Sequence, residues 1–257
     1  MDDSSTPVSG SLSSDSGRFP RTQWSVVLRA RDTSEATEAS KALSLLCESY
    51  WYPLYGFARS KGYSEHDAKD LTQGFFLYVL EHNLFGGADP DKGKLRTFLL
   101  TLFQRYLIRD YRKNVAERRG GGRTVESLDQ QFEEGERAYR NEPAVDQDPV
   151  AVFTRAWATS VLRSAQELLR AEMAIERKSA TFQALKPFLE PDRDETYSYE
   201  GIAKQLGIRQ DALRQMVSRM RKRYGELIRA RVADTLQDPT PEAIADEMRC
   251  LREALGW

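Results

Sequence analysis

"YEGIAKQLGIRQDALRQMVSRMRKR", residues 199–223, decides how the fold is read. Two short helical patterns flank a single glycine. Ala203 is the small residue that lets two helices cross closely. Gly207, four positions on, tolerates the positive φ of a tight turn. Ile202, Leu206, Ile208, Leu213, Met216 and Val217 recur at offsets that pack the two helices together. The spacing predicts a helix-turn-helix. An ordinary αα-hairpin ending on a C-cap glycine has the same local pattern, so charge has to separate the two readings. From Tyr199 to Arg231 there are nine Lys/Arg against three acids. On the second helix Arg209, Gln210, Asp211, Arg214, Gln215 and Ser218 are long or hydrogen-bonding and are expected to face outward. Such residues near the start of a recognition helix can reach base edges in a DNA major groove. Arg219, Arg221, Lys222 and Arg223 suit phosphates, which position a helix without reading sequence.

A second basic stretch lies upstream, "KLRTFLLTLFQRYLIRDYRK" (Lys94 to Lys113). Leu95, Phe98, Leu99, Leu102 and Tyr106 recur at helical spacing; Leu95, Leu99, Leu102 and Tyr106 are expected in the core. Arg96, Arg105, Arg109, Arg112 and Lys113 fall outside that stripe. From Lys92 to Arg123 ten Lys/Arg stand against two acids; from Thr124 to Val150 two Arg stand against eight acids, with Pro143 and Pro149. A segment this long and unpatterned exceeds an ordinary loop, and is read as a mostly extended acidic linker.

The chain therefore divides into five parts: an acidic, Ser-rich leader at 1–21, a helical domain at 22–123, the linker at 124–150, a helix-turn-helix domain at 151–231 and a tail at 232–257. The leader lacks the apolar run of a signal peptide and is expected to be disordered. In the first domain Trp24, Val27 and Leu28 start a short helix. Leu43 to Phe57 form a longer stripe that Pro53 is expected to kink or split. Ser64 to Asp67 reads as a capping box opening a helix through Leu80, which the Gly/Pro loop 83–94 ends. Helices resume at Phe153, Trp157 and Val161, and again at Phe182, Leu185 and Phe188. The tail carries Pro239 and Pro241 before an amphipathic helix, read as a cap on the second domain, with a regulatory helix as the alternative. The fold class expected is all-α.

Composition excludes several classes. The 257 residues are 40% apolar with net charge −1, so total charge names no partner. Cys47 and Cys250 form no CxxC, and His66 and His82 form no HExxH, so no metal site is expected. No phosphate-binding glycine loop and no nucleophile elbow are present, and no carboxylates pair for acid/base work. The reading is a protein that is not an enzyme and holds no cofactor. No run of about 18 apolar residues suggests a membrane span, and cysteine usage fits a reducing cytoplasm.

Three blocks in this order carry a family resemblance. "DAKDLTQGFFLYVLE" (Asp67 to Glu81) is similar to the polymerase-binding helix of bacterial RNA polymerase sigma factors of the extracytoplasmic-function type. "GKLRTFLLTLFQRYLIRDYRK" resembles their −10 promoter helix, and "YSYEGIAKQLGIRQDALRQMVSRMRKRYGEL" their −35 helix-turn-helix. "ALSLLCESYWYPLYGFAR" (Ala42 to Arg59) fits the preceding helix, so the likeness spans roughly residues 22–231. The resemblance implies a subunit that binds core RNA polymerase, recognises −35 and −10 elements and promotes strand opening. Asp70, Leu71, Thr72, Gln73 and Phe76 would bind the clamp helices of the β′ subunit, with the β subunit a further partner. Arg96, Arg105, Arg109, Arg112 and Lys113, with Phe98, would hold the opened promoter strand, cations on phosphates and an aromatic for an unstacked base. An anti-sigma factor is a partner the family allows. The acidic linker would thread toward the polymerase cleft. The chain departs from the family at Phe98, where Trp is common, and at Gln104-Arg105, where Arg-Asn is common. It departs again at Gly74, where Glu is usual, and at "FQALKPFLEPDRDETYS", which replaces a Leu-Pro start.

Two other readings stay open. A stand-alone helix-turn-helix regulator leaves the DLTQ block and the first basic helix unexplained. A helical adaptor that binds no DNA leaves both basic patches unexplained.

Overall fold

The computed structural model describes residues 36–82, 84, 94–117, 148–189, 198–236 and 238–257. The expected leader, the short helix at Trp24, most of the loop 83–94, the bulk of the linker and the loop 190–197 lie outside the described residues. Among those described, every regular element is helical and no strand occurs. In chain order they are α1 (Ala36–Ser60), α2 (Glu65–Glu81), α3 (Leu95–Glu117), α4 (Pro149–Ile175), α5 (Ser179–Leu185), α6 (Tyr199–Leu206), α7 (Gln210–Asp234) and α8 (Pro241–Leu255). A 3₁₀ turn, Lys186–Leu189, follows α5.

α1 runs as one helix through Pro53, where two shorter pieces were one expectation. A proline inside a helix costs about 3 kcal/mol. Every residue from Tyr50 to Ala58 is buried, and a fully buried large apolar side chain returns about 1.5–3 kcal/mol. Leu54, Tyr55 and Phe57 together outweigh the lost hydrogen bond. Trp51 and Tyr55 stack one turn apart, ring centroids 5.0 Å and planes 10° apart.

The cap at Ser64 forms as the sequence predicts. Its Oγ accepts from the Asp67 amide at 3.1 Å and donates to the Asp67 carboxylate at 2.7 Å. In α3 the buried stripe is Leu95, Leu99, Leu100, Phe103 and Leu107. Leu102 and Tyr106, expected in the core, are half-buried on its flank. The run "LLTLF" is apolar at nearly every step, so periodicity alone does not say which residue points inward. Phe103 meets the rings of Phe57 and Phe75 at 6.1 and 5.1 Å, which joins α1, α2 and α3.

α4 starts at Pro149, inside the stretch read as linker, because Asp148 caps it by accepting from the Val150 amide at 3.3 Å. Pro149 sits at the first helical position, where a missing N–H costs nothing. α1 packs along α2 and α4; α4 also packs on α5, α7 and α8. The buried side chains of α1 to α8 form one continuous cluster, so helices pack across the expected boundary between residues 123 and 151. Among the described residues no helix is long and apolar enough to cross a membrane.

Candidate nucleic-acid interface

The turn between α6 and α7 is built from its own residues. Ser198 caps α6, its Oγ accepting from the Gly201 amide at 3.0 Å. Gly207 ends α6 at φ 66° and ψ 30°, the left-handed conformation for which glycine has no Cβ penalty. The Gly207 amide donates to the Lys204 carbonyl and the Ile208 amide to the Ala203 carbonyl, which closes a Schellman cap. Ile202, Ala203, Leu213 and Val217 are buried between the helices, and Leu206, Ile208 and Met216 half-buried beside them.

α7 then projects its polar residues outward. Arg209, Gln210, Asp211, Arg214, Gln215, Ser218, Arg219, Arg221, Lys222 and Arg223 are all exposed. They do not all have the same work. Arg214 reaches Asp211 at 3.4 Å and lies 5.9 Å from the Tyr199 ring, so it is pre-oriented at the first turns of α7. Arg221 donates from Nε to the Phe188 carbonyl at 2.8 Å, which pins the 3₁₀ turn. Arg223 forks onto both oxygens of Glu172 in α4 at 2.9 and 2.6 Å, and onto Glu226 at 2.9 Å. That guanidinium holds the Glu172 carboxyl below its usual range. Arg221 and Arg223, expected to serve phosphates, are exposed and in this structure tie α7 to the 3₁₀ turn and to α4. Arg209, Gln210, Asp211, Arg214, Gln215, Ser218, Arg219 and Lys222 form the outward polar face at the start of α7.

α3 splits into two halves. Its start is covered. The Arg96 side chain is 14% exposed and paired with Glu247 of α8 at 3.3 Å, with its guanidinium 4.9 Å from the Trp157 ring centroid. Phe98 is half-buried against the core. At this end Arg96 is held by Glu247 and Phe98 lies against the core. The second half is open. Arg105, Arg109 and Arg112 are exposed, Arg109 lying 4.5 Å from the Tyr78 ring. The Lys113 side chain lies outside the described residues. Among these cations sit two exposed apolar side chains that pattern reading did not single out, Ile108 and Tyr111, at 54% and 65% exposure. With Phe57, Lys61, Tyr63 and Gln104 they line a groove of about 420 Å³ between α1 and α3. The signal was available: Ile108 and Tyr111 fall off the Leu95–Leu99–Phe103–Leu107 stripe. Burial, then Asp110, push the Tyr106 phenol up to about 12; burial, then Asp110 and Asp67, also raise Tyr63. Both are hydrogen-bond donors at neutral pH.

On α2, Leu71, Thr72 and Phe76 are interior at 7%, 0% and 3% exposure, and Thr72 Oγ1 donates to the Ala68 carbonyl at 2.8 Å. All three, expected at a polymerase contact, belong to the core of the described residues. Asp70 is exposed, 3.4 Å from the His66 ring nitrogen, and Gln73 is half-buried. Leu77, one turn on and 45% exposed, extends their stripe and was missed. Gly74 has a packing reason: a Cβ there would collide with the Tyr106 hydroxyl, so the small residue lets α3 approach α2.

The arrangement offers two outward cationic surfaces, one on α7 behind a tight turn and one on the second half of α3. No protein-family model, no curated protein and no solved structure matches the chain.

Proposed function

We propose that this chain is a promoter-specificity subunit, a sigma factor of the extracytoplasmic-function type. It binds core RNA polymerase, recognises −35 and −10 elements and promotes strand opening. The observation that carries the reading is the outward polar face of α7 behind the left-handed Gly207, with Arg214 already oriented at its start. On this reading Arg209, Gln210, Asp211, Arg214, Gln215 and Ser218 enter the major groove at the −35 element, and Arg219 and Lys222 meet phosphates. The opened −10 strand lies along Arg105, Arg109 and Arg112, with an unstacked base against Tyr111 or in the groove beside it; base–aromatic stacking contributes about 1–3 kcal/mol per base. Asp70, Gln73 and Leu77 face the β′ clamp helices, and Leu71, Thr72 and Phe76 hold that face rigid from within. On this reading residues 22–123 serve core polymerase and the −10 element, and the helices from Pro149 to Arg231 serve the −35 element. The chain makes and breaks no bond; the polymerase does the chemistry. Work beside the polymerase places it in the cytoplasm, where an anti-sigma factor would regulate it.

A stand-alone helix-turn-helix regulator is the second reading. It is favoured by one observation: Leu71, Thr72 and Phe76 are accounted for as core without any partner. One experiment separates the two. The chain is mixed with core polymerase and a library of promoter fragments, and transcript starts are sequenced. The sigma reading predicts stable association with core enzyme and starts at a shared pair of sequence elements. Tight duplex binding by the chain alone, with no core association, overturns it in favour of the regulator.

A further inference from the structure

Glu247 of α8 is a charge buried to 1% exposure, and its partners come from α3, about 150 residues away in sequence. Lys94 Nζ lies 2.7 Å from Oε1, and Arg96 reaches Oε2 through Nε and Nη2, both at 3.3 Å. Arg96 Nη2 also donates to Cys250 Sγ at 3.2 Å, and Trp157 backs the guanidinium. A carboxylate this deep needs its cations: with one partner removed it would be left as an uncompensated buried charge. The other end of α8 is tied by Arg155, whose Nε donates to the Ala254 carbonyl at 3.2 Å.

Besides these two ties, α8 rests on Leu251 and, half-buried against the core, on Ile244, Met248, Ala254 and Leu255. Of its fifteen residues only Glu247 and Leu251 are buried. Elements with little buried apolar surface open well below the free energy of global unfolding. The tail as a whole is acidic, with six Asp/Glu against two Arg from Val232 to Trp257, whereas the stretch it touches is strongly basic. Glu247 thus presents to Lys94 and Arg96 what a DNA phosphate would present: one anionic group within ion-pair reach of both.

We infer that α8 is a built-in competitor for the promoter strand. In the free chain Glu247 occupies the two cations at the start of α3; in the DNA-engaged state α8 swings away and Lys94 and Arg96 turn to phosphate. The inference rests on the proposed promoter role of α3. It assigns the tail an autoinhibitory task beyond capping. A chain whose binding-competent form is a minor population binds more weakly by that fraction. Breaking the latch therefore raises affinity without adding a contact.

The test uses the full chain, with a fluorescein-labelled twenty-nucleotide oligothymidylate followed by anisotropy at low salt and amide hydrogen exchange on the same samples. Two variants break the latch from different sides, Glu247→Gln at the ion pair and Leu251→Asp at the apolar anchor, with helicity checked by circular dichroism. Each is expected to lose protection across α8 and at Leu95–Leu99 together, and to bind the oligonucleotide about tenfold or more tightly. Adding Arg96→Ala to Glu247→Gln should remove most of that gain. Lost protection with unchanged affinity overturns the latch and leaves α8 a cap. Retained protection in both variants overturns it too, since Glu247 and Leu251 then do not hold the helix. The promoter reading is scored separately by core-enzyme association of the wild-type chain. Tighter oligonucleotide binding without core association keeps the latch and removes the sigma role.

Discussion

Gly74→Ala has a sign that depends on a residue in another helix. Taken alone, alanine in the middle of α2 should help by up to about 1 kcal/mol, the usual gap between glycine and alanine in a helix. The Tyr106 hydroxyl, however, occupies the space a Cβ needs. The phenol cannot swing aside easily. Its ring is packed against Phe75, Tyr78 and Phe103, with centroids 5.8, 5.4 and 6.4 Å away. Forcing an extra carbon into such a site costs about 1–3 kcal/mol. In the wild-type background the substitution is therefore destabilising, by up to about 2 kcal/mol after the helix gain. Tyr106→Phe removes the colliding oxygen, and the next ring atom, Cζ, stands at 3.6 Å, ordinary contact. In that background Gly74→Ala should stabilise by about 1 kcal/mol. The double-mutant cycle, read by urea unfolding, should show a coupling of about 1–3 kcal/mol with reversal of sign. Equal effects of Gly74→Ala in the two backgrounds would refute the packing argument, and with it the close approach that sets α3 against α2.

The other expectations are shorter. Gly207→Ala should destabilise by about 1–2 kcal/mol because φ is 66° there, and Gly207→Asn by less; thermal unfolding checks the order, and equal losses would remove the turn argument. Burial, then Glu48, push the Cys47 thiol up to about 12, and Tyr106 is raised to about 12 as well. Groups whose pKa is raised on folding favour the folded state fully below their unfolded values and cease to do so as pH climbs through the folded ones. Stability should then fall from about pH 9 to pH 12, and alkylation of Cys47 should stay slow at pH 9; a flat profile contradicts the burial. Asp70→Ala with Gln73→Ala should weaken core-polymerase binding at unchanged helicity, and retained affinity takes that face out of the interface. Arg214→Ala with Gln215→Ala should alter −35 preference in selected promoters; an unaltered preference moves readout elsewhere.

Local signals carried much of this fold, and their reach explains where they stopped. Ala203 and Gly207 each act within one turn of themselves, so the tight turn between α6 and α7 was legible from spacing and side-chain type. Ser64 and Asp67 were legible for the same reason. In α3 the stripe was ambiguous because Leu99, Leu100, Leu102 and Phe103 are all apolar, and tertiary packing chose Phe103 over Leu102. Pro53 argued for a break, and burial on either side of it prevailed. The fate of Arg96 was beyond any window on the chain: its carboxylate is Glu247, brought there by the packing of α8. Arg223 is the same case with Glu172. Cations read as one outward face divide, once folded, into those that hold the structure and those left exposed. Residue type and period do not encode that division.

The central claim is that this chain, with core polymerase, opens promoter DNA. Permanganate reactivity of thymines in a fragment selected with the holoenzyme tests it most directly. The account predicts reactive thymines at the −10 element only when chain and core enzyme are both present, and their loss when Arg105, Arg109 and Arg112 are replaced by alanine. Failure of the chain to associate with core enzyme, or reactivity that survives those three replacements, would contradict it.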